Sequence, residues 1–222
     1  MEKRIPQVSS ELRRHHVEMP VEVWAASGII IWGRRIKSLV FSTDLAVIRN
    51  CNADAVLAVY PFTPQQVIAD AIIAASYIPV FCGVGGGITG GPRVIALAQD
   101  AEAEGAMGVV VNAPIPSAII RDMRAVVDIP IVVTVVSESM DVGARIDAGA
   151  SILNISAAER TPDVVRHIRK LYPDFPIIAT GGPTGETIKR TIEAGANAIS
   201  ITPPTTNQLF KQIMSGYREK NW

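Results

Sequence analysis

Apolar residues along this chain fall into short continuous runs, and the segments between them mix apolar and polar positions at helical spacing. Runs that are apolar throughout, rather than alternating, belong to strands covered on both faces, as in a parallel sheet. Two phrases recur. The first, a polar or acidic residue, a small turn and an apolar run, reads NCNADAVLAVYPF at Asn50–Phe62, AEGAMGVVVNAP at Ala103–Pro114, DAGASILNISAA at Asp147–Ala158 and EAGANAISITPP at Glu193–Pro204. The second reads IPVFCGVGGG from Ile78, IPIVVTVVSE from Ile129 and FPIIATGGPT from Phe175. Taking Ala53, Ala106, Ala150 and Ala196 as markers, the first phrase returns every 44 to 53 residues, a period that points to repeated supersecondary units.

Both phrases have a physical reading. Gly105, Gly149 and Gly195 stand just past helical segments, where a left-handed C-cap favours a residue without Cβ. Pro79, Pro130 and Pro176 stand where a helix has ended, and proline is tolerated at the first residue of a strand. Eight strands are predicted, near Lys37–Ser42, Ala55–Tyr60, Val80–Val84, Gly108–Asn112, Ile131–Val136, Ile152–Ser156, Ile177–Thr180 and Ala198–Thr202. Strands alternating with helices make a parallel α/β fold, and eight near-equivalent units suit closure into a single (β/α)8 TIM barrel better than the rival, an open doubly wound sheet with edges. The barrel is expected over residues 35–222. Residues 1–34 lie outside the repeat as an N-terminal helical and apolar extension, with a short helix near Glu11–Val17 and an apolar segment at Val21–Trp32. This extension is expected to pack on the barrel's amino end or on a partner subunit, which makes a homo-oligomer one expectation.

Composition narrows the function. Of 222 residues, 48% are hydrophobic and 19% charged, with 21 Lys+Arg against 21 Asp+Glu. A general nucleic-acid binder needs an excess of basic residues to displace phosphate counterions, so no nucleic-acid partner is expected. No apolar run reaches the roughly 18 residues of a membrane helix, and Met1–Ser10 lacks the apolar stretch of a signal peptide. Cys51 and Cys82 are too few for a disulfide framework. A soluble, cytoplasmic protein without a membrane partner is the expectation.

In such barrels the chemistry sits at the carboxyl ends of the strands. Asp44 after the first strand and Glu138 after the fifth are the carboxylates expected there, and partly buried carboxylates serve as acid and base. Each has a plainer role open to it: Asp44 as a helix cap, Glu138 in a surface ion pair. Asn112, Thr134 and Asn154 at the fourth, fifth and sixth strand ends are candidates to orient a substrate. Gly85, Gly86 and Gly87 open a loop with five glycines among seven residues, where backbone amides can approach a ligand. No lysine falls at a strand's carboxyl end, so Schiff-base chemistry is not expected. His15, His16 and His167 lie in the N-terminal segment or on a helix, and two carboxylates are few for a metal, so none is expected. Cys82 has no histidine placed to activate it and reads as a packed strand thiol.

The stretch PIIATGGPTGETIKRTIEAGANAISI, Pro176 to Ile201, resembles the closing segment of the phosphate-binding (β/α)8 barrels. That superfamily includes thiazole and thiamin-phosphate synthases, sugar-phosphate epimerases and nitropropane-dioxygenase-like FMN oxidoreductases. The resemblance implies that Gly181 and Gly182 bind phosphate, with amides after strand seven and a helix N-terminus after strand eight converging on it. The chain departs from the pattern at strand eight, where Thr202-Pro203-Pro204-Thr205-Thr206 replaces a glycine followed by Ser or Thr. The prolines remove two donors, and Thr205 and Thr206 are the residues that can restore them. The expected function is an enzyme acting on a small phosphorylated metabolite by proton transfer or carbon–carbon chemistry, of isomerase, lyase or synthase type, without a resident cofactor. The alternatives are an FMN-binding oxidoreductase and a non-catalytic ligand-binding barrel.

Overall fold

The computed structural model describes residues 17–219, together with Pro6, Val8 and Ser10. The helix expected near Glu11–Val17 lies outside these residues but for Val17, as do His15 and His16. Strands β3 (Ser38–Phe41), β4 (Ala55–Ala58), β5 (Val80–Gly85), β6 (Gly108–Val111), β7 (Ile131–Val135), β8 (Ile152–Ile155), β9 (Ile177–Thr180) and β10 (Ala198–Ile201) pair in parallel, and β10 pairs back to β3 to close the barrel. Helices α1 (Leu45–Arg49), α2 (Gln66–Ala75), α3 (Pro92–Ala103), α4 (Ser117–Arg124), α5 (Val142–Asp147), α6 (Thr161–Leu171), α7 (Gly185–Glu193) and α8 (Thr206–Glu219) follow the strands in turn. This is the (β/α)8 TIM barrel, and its closure removes the edges that an open sheet would leave.

The recurring phrases do in the fold what their chemistry predicts. Gly105, Gly149 and Gly195 have φ of 92°, 112° and 114°, the left-handed turn that ends each preceding helix. The three prolines lack N–H donors but still serve the ladder as acceptors: Val56 N donates to Pro79 O at 2.8 Å, Val109 N to Pro130 O at 3.0 Å, and Leu153 N to Pro176 O at 3.0 Å.

Two apolar layers hold the barrel. Outward-facing strand residues such as Val40, Val56, Cys82, Val109, Val133 and Leu153 pack beneath the helices. Inward-facing residues form a second cluster to which every strand contributes: Leu39, Ala55 and Leu57, Phe81, Val110, Val132, Ile152, Ile178 and Ala198. The same cluster contains Ile29, Ile31 and Ile36 of an antiparallel hairpin, β1 (Ile29–Ile31) and β2 (Arg34–Ile36). The hairpin enters the barrel's amino end and is held there by Gly28 N donating to Asn197 O at 2.7 Å, while Asp54 Oδ2 accepts from Lys37 N at 2.8 Å and Ser38 N at 3.0 Å. The segment read as apolar, Val21–Trp32, thus supplies a 3-10 helix at Val21–Ala25, packed on α7, and the first strand of the plug. The hairpin fills the amino end of the barrel with apolar side chains. No helix among the described residues is long and apolar enough to cross a membrane.

Candidate functional site at the barrel mouth

Side chains alternate along a strand, so the residue two positions past each interior member also faces inward, one layer nearer the mouth. From the interior cluster this gives Phe41, Val59, Gly83, Asn112, Thr134, Asn154, Thr180 and Ser200. The register agrees, because Thr134 lies beside Asn154 and Thr180 beside Ser200. Strands β3–β5 therefore present an apolar and glycine wall, and β6–β10 a wall of amides and hydroxyls. None of the eight positions is charged.

Two cavities open over the first wall and share Val59, Tyr60, Pro61 and Asn112. The smaller, about 150 Å³, runs under the glycine loop between Gly83, Gly85, Gly87 and Thr89. The larger, about 600 Å³, runs across to Ser42, Thr43, Asp44 and Thr202–Thr205. Asn112 borders both, and its side-chain amide makes no hydrogen bond within the described residues. The loop is pinned against it: Gly86 (φ 95°) donates its amide to Thr89 O at 2.9 Å, and Asn112 N donates to Gly85 O at 2.9 Å. A Cβ on Gly86 would stand 2.7 Å from Asn112 N, so glycine is there for close backbone approach. Thr89, 6% exposed, lines the smaller cavity with its hydroxyl oxygen unpartnered. On the opposite wall Asn154 Nδ2 donates to Thr134 Oγ1 at 3.3 Å, and Asn154 Oδ1 is buried without a partner. Buried polar atoms are almost always satisfied, so two unsatisfied ones around one mouth point to a ligand or water.

The candidate residues separate sharply in this geometry. Asp44 caps α1, accepting from Ala46 N at 2.8 Å and Val47 N at 3.3 Å, and its other oxygen accepts from Thr206 Oγ1 at the head of α8. The Thr206 hydroxyl above all, then the two amides, hold its carboxyl below the ordinary value despite partial burial. A raised value was the expected signature of an acid catalyst; Asp44 is instead a fixed anion on the rim of the larger cavity. Glu138 pairs with Arg160 at 3.3 Å, both ends well exposed, and borders neither cavity. The phosphate candidates are largely spent on the fold. Gly181 donates its amide to Ser200 O at 3.1 Å, and Thr205 Oγ1 accepts from Gln208 N at 3.2 Å to cap α8. Gly182 (φ 78°) turns the chain against Thr187, whose hydroxyl belongs to the capping box of α7. Gly85, Gly87 and Asn112 do line a cavity, and Thr134 and Asn154 face inward behind it. Cys82 faces α2 and α3, and burial together with the charge of Asp70 pushes its thiol up to about 12.

Ser200 and Thr89 are the residues that inspection of strand ends overlooked. Counting two residues on from Ala198 finds Ser200; nothing local marks Thr89, which is brought to the cavity by the turn at Gly86.

No family model matches the chain, and no curated protein matches it. Solved structures do. A phosphoenolpyruvate phosphomutase from Streptomyces platensis subsp. rosaceus superposes with a TM-score of 0.62 at 14% identity, covering 90% of this chain and 84% of its own. A phosphonopyruvate hydrolase complexed with oxalate and Mg2+ gives 0.59 at 14% identity, with 86% and 84% covered. A 2,3-dimethylmalate lyase, a member of the PEP mutase/isocitrate lyase superfamily, gives 0.58 at 16% identity, with 82% and 80% covered. At such identities the likeness is one of fold. These neighbours are not the synthases, epimerases or FMN oxidoreductases that Pro176–Ile201 resembles; what that motif carries over is the barrel itself.

The magnesium of the hydrolase neighbour invites a test of the donors here. Mg2+ takes an octahedron of oxygens, usually including one or two carboxylates. Asp44 follows β3 and Glu138 follows β7, which stand four strands apart on opposite walls of the barrel. No three His, Cys, Asp or Glu converge anywhere among the described residues. Among the described residues the mouth offers Asp44 alone, with both oxygens already engaged by amides and a hydroxyl, and that set does not fit a divalent cation.

Proposed function

We propose that this barrel is an enzyme of small organic acids, making, breaking or shifting a bond to carbon in the manner of a lyase, isomerase or mutase. The observation that carries this reading is the pair of joined cavities at the mouth, bordered by the unspent amide of Asn112 and the unspent hydroxyl of Thr89. A pocket with few, convergent polar groups over an otherwise apolar floor suits a small ligand that is oriented by hydrogen bonds. The names of the superposed proteins support the same chemistry: a lyase, a phosphomutase and a hydrolase holding oxalate.

In this reading Asn112 and Thr89 orient the substrate, and Asp44, ionised and bordering the larger cavity, is the group available to accept a proton. Glu138, tied to Arg160, takes a lesser part. A phosphorylated substrate is the finer form of the proposal. The phosphomutase and phosphonopyruvate names favour it, but Gly181, Thr205 and Thr206 have their donors or acceptors engaged within the fold. The acid group is therefore the part on which the reading rests.

The test is an NMR time course on a panel of 2-oxo acids, 2-hydroxy diacids and their phosphonate analogues, run with Mg2+ present. Turnover of at least one acid, lost in Asn112→Ala while its melting curve stays in place, is the expected result. A panel left untouched by the wild-type protein overturns the proposal.

A further inference from the structure

Acid-binding sites commonly offset the ligand's charge with a cation, either a metal or an arginine. This mouth supplies neither. Its eight inward-facing positions are Phe41, Val59, Gly83, Asn112, Thr134, Asn154, Thr180 and Ser200, all neutral. Of the arginines at this end of the barrel, Arg160 is engaged with Glu138 and Arg145 with the carbonyls of Ile115 and Ala113, while Arg93, exposed in the first turn of α3, lines neither cavity. Asp44 has two backbone amides on one oxygen and a hydroxyl on the other, and it stands alone on its wall. What the mouth offers instead are uncommitted dipoles. Thr89 Oγ1 is buried and unpartnered and the Asn112 amide is unbonded in the same cavity, whereas Asn154 has its Nδ2 spent on Thr134 and only an acceptor, Oδ1, left free.

Resting on the reading of the mouth as a small-acid site, we infer that it binds its acid by hydrogen bonds alone, with no divalent cation. The chemical reason is the donor set. A carboxylate ligand bridged to Mg2+ needs anionic protein oxygens to keep the ion in place, and the one carboxylate bordering the cavities, Asp44, has both oxygens engaged by the fold. Hydroxyl and amide donors aimed at a desolvated carboxylate form charge-assisted bonds, which are about twice as strong as neutral ones. Such a site replaces the counter-ion by oriented dipoles, as glycine-rich anion sites do. Thr89 is then a specificity-determining contact, and its hydroxyl is buried for the ligand rather than for the fold.

The test uses oxalate as the probe and isothermal titration of the whole chain in two buffers, one with excess Mg2+ and one with excess EDTA. The dissociation constant is expected to agree between them within about twofold. Thr89→Val keeps the side chain's shape and removes the hydroxyl. It is expected to weaken oxalate about tenfold or more in both buffers, the loss of one charge-assisted bond. Its melting temperature should hold or rise, because an unsatisfied buried hydroxyl has gone. Asn112→Asp, which puts an unengaged carboxylate on the border of both cavities, should lose oxalate in EDTA and regain part of it with Mg2+. Binding by the wild-type protein in Mg2+ alone overturns the inference and leaves the small-acid reading standing. Silence of oxalate, malonate and pyruvate in both buffers overturns the small-acid reading, and the inference with it.

Discussion

Replacing Gly86 by alanine puts the geometry of the mouth to a quantitative test. Gly86 has φ 95°, a conformation that costs an L-residue of order 1–3 kcal/mol. Its new Cβ would stand 2.7 Å from Asn112 N and 2.9 Å from Asn112 O, both backbone atoms. Neither can rotate away, because Asn112 N is bonded to Gly85 O and Asn112 O accepts from Ile115 N. Overpacking of this kind adds about 1–3 kcal/mol. Since one backbone shift relieves both terms in part, the combined loss is expected at roughly 2–4 kcal/mol. Gly90, four residues on in the same loop, is the control: its φ is ordinary and nothing lies within 4 Å of its Cβ position, so Gly90→Ala should stay within about 0.5 kcal/mol of wild type. Urea unfolding followed by circular dichroism gives both numbers from the midpoint and slope. The loop should also move off Asn112 in Gly86→Ala, so ligand binding should fall with stability. A Gly86→Ala variant that loses less than about 1 kcal/mol, or a Gly90→Ala variant that loses as much as Gly86→Ala, would refute the packing assigned to this loop.

Two further predictions rest on ionisation. The Asp44 carboxyl is held below its ordinary value of 3.8, chiefly by Thr206 and then by the α1 amides, so its stabilising effect is present above that value and is lost as pH falls through the lower, folded one. Asp44→Asn keeps the cap but not the charge; the difference in unfolding free energy from wild type, up to about 1 kcal/mol at neutral pH, should shrink steadily below about pH 4. A gap that stays constant down to pH 2 would show that the charge is irrelevant. Cys82, with its thiol pushed to about 12 by burial and by Asp70, carries the thiolate in about one molecule in ten thousand at pH 8. Cys51 is buried and raised as well, so thiol reagents should label the native protein only at the rate at which it unfolds, and label both cysteines at once in urea. Fast labelling of the folded protein would contradict the burial of both side chains.

Much of the architecture was readable from local chemistry because each unit repeats the same small set of instructions. Helices stopped by a left-handed glycine at Gly105, Gly149 and Gly195, prolines just before Val80, Ile131 and Ile177 and the apolar runs themselves mark the units, and all eight barrel strands overlap the runs predicted for them. The hairpin at the amino end was not readable as such. Val21–Trp32 is apolar enough to be a plug, a lid or a subunit contact, and only the closed barrel offers an interior that Ile29, Ile31 and Ile36 can fill.

The site divides the same way. That Asn112, Thr134 and Asn154 belong to the mouth follows from their places near strand ends and the two-residue alternation. What becomes of each donor and acceptor does not follow from sequence, because hydrogen bonds are shared between segments distant in the chain. Thr206 reaches Asp44 across 162 residues, and the Gly181 amide, a phosphate ligand by motif, is taken by the carbonyl of Ser200 on the next strand. Local order determined the barrel and the list of residues around its opening. Closure of the barrel, which puts eight distant segments in one ring, decided which of those residues were used up by the fold and which were left to bind.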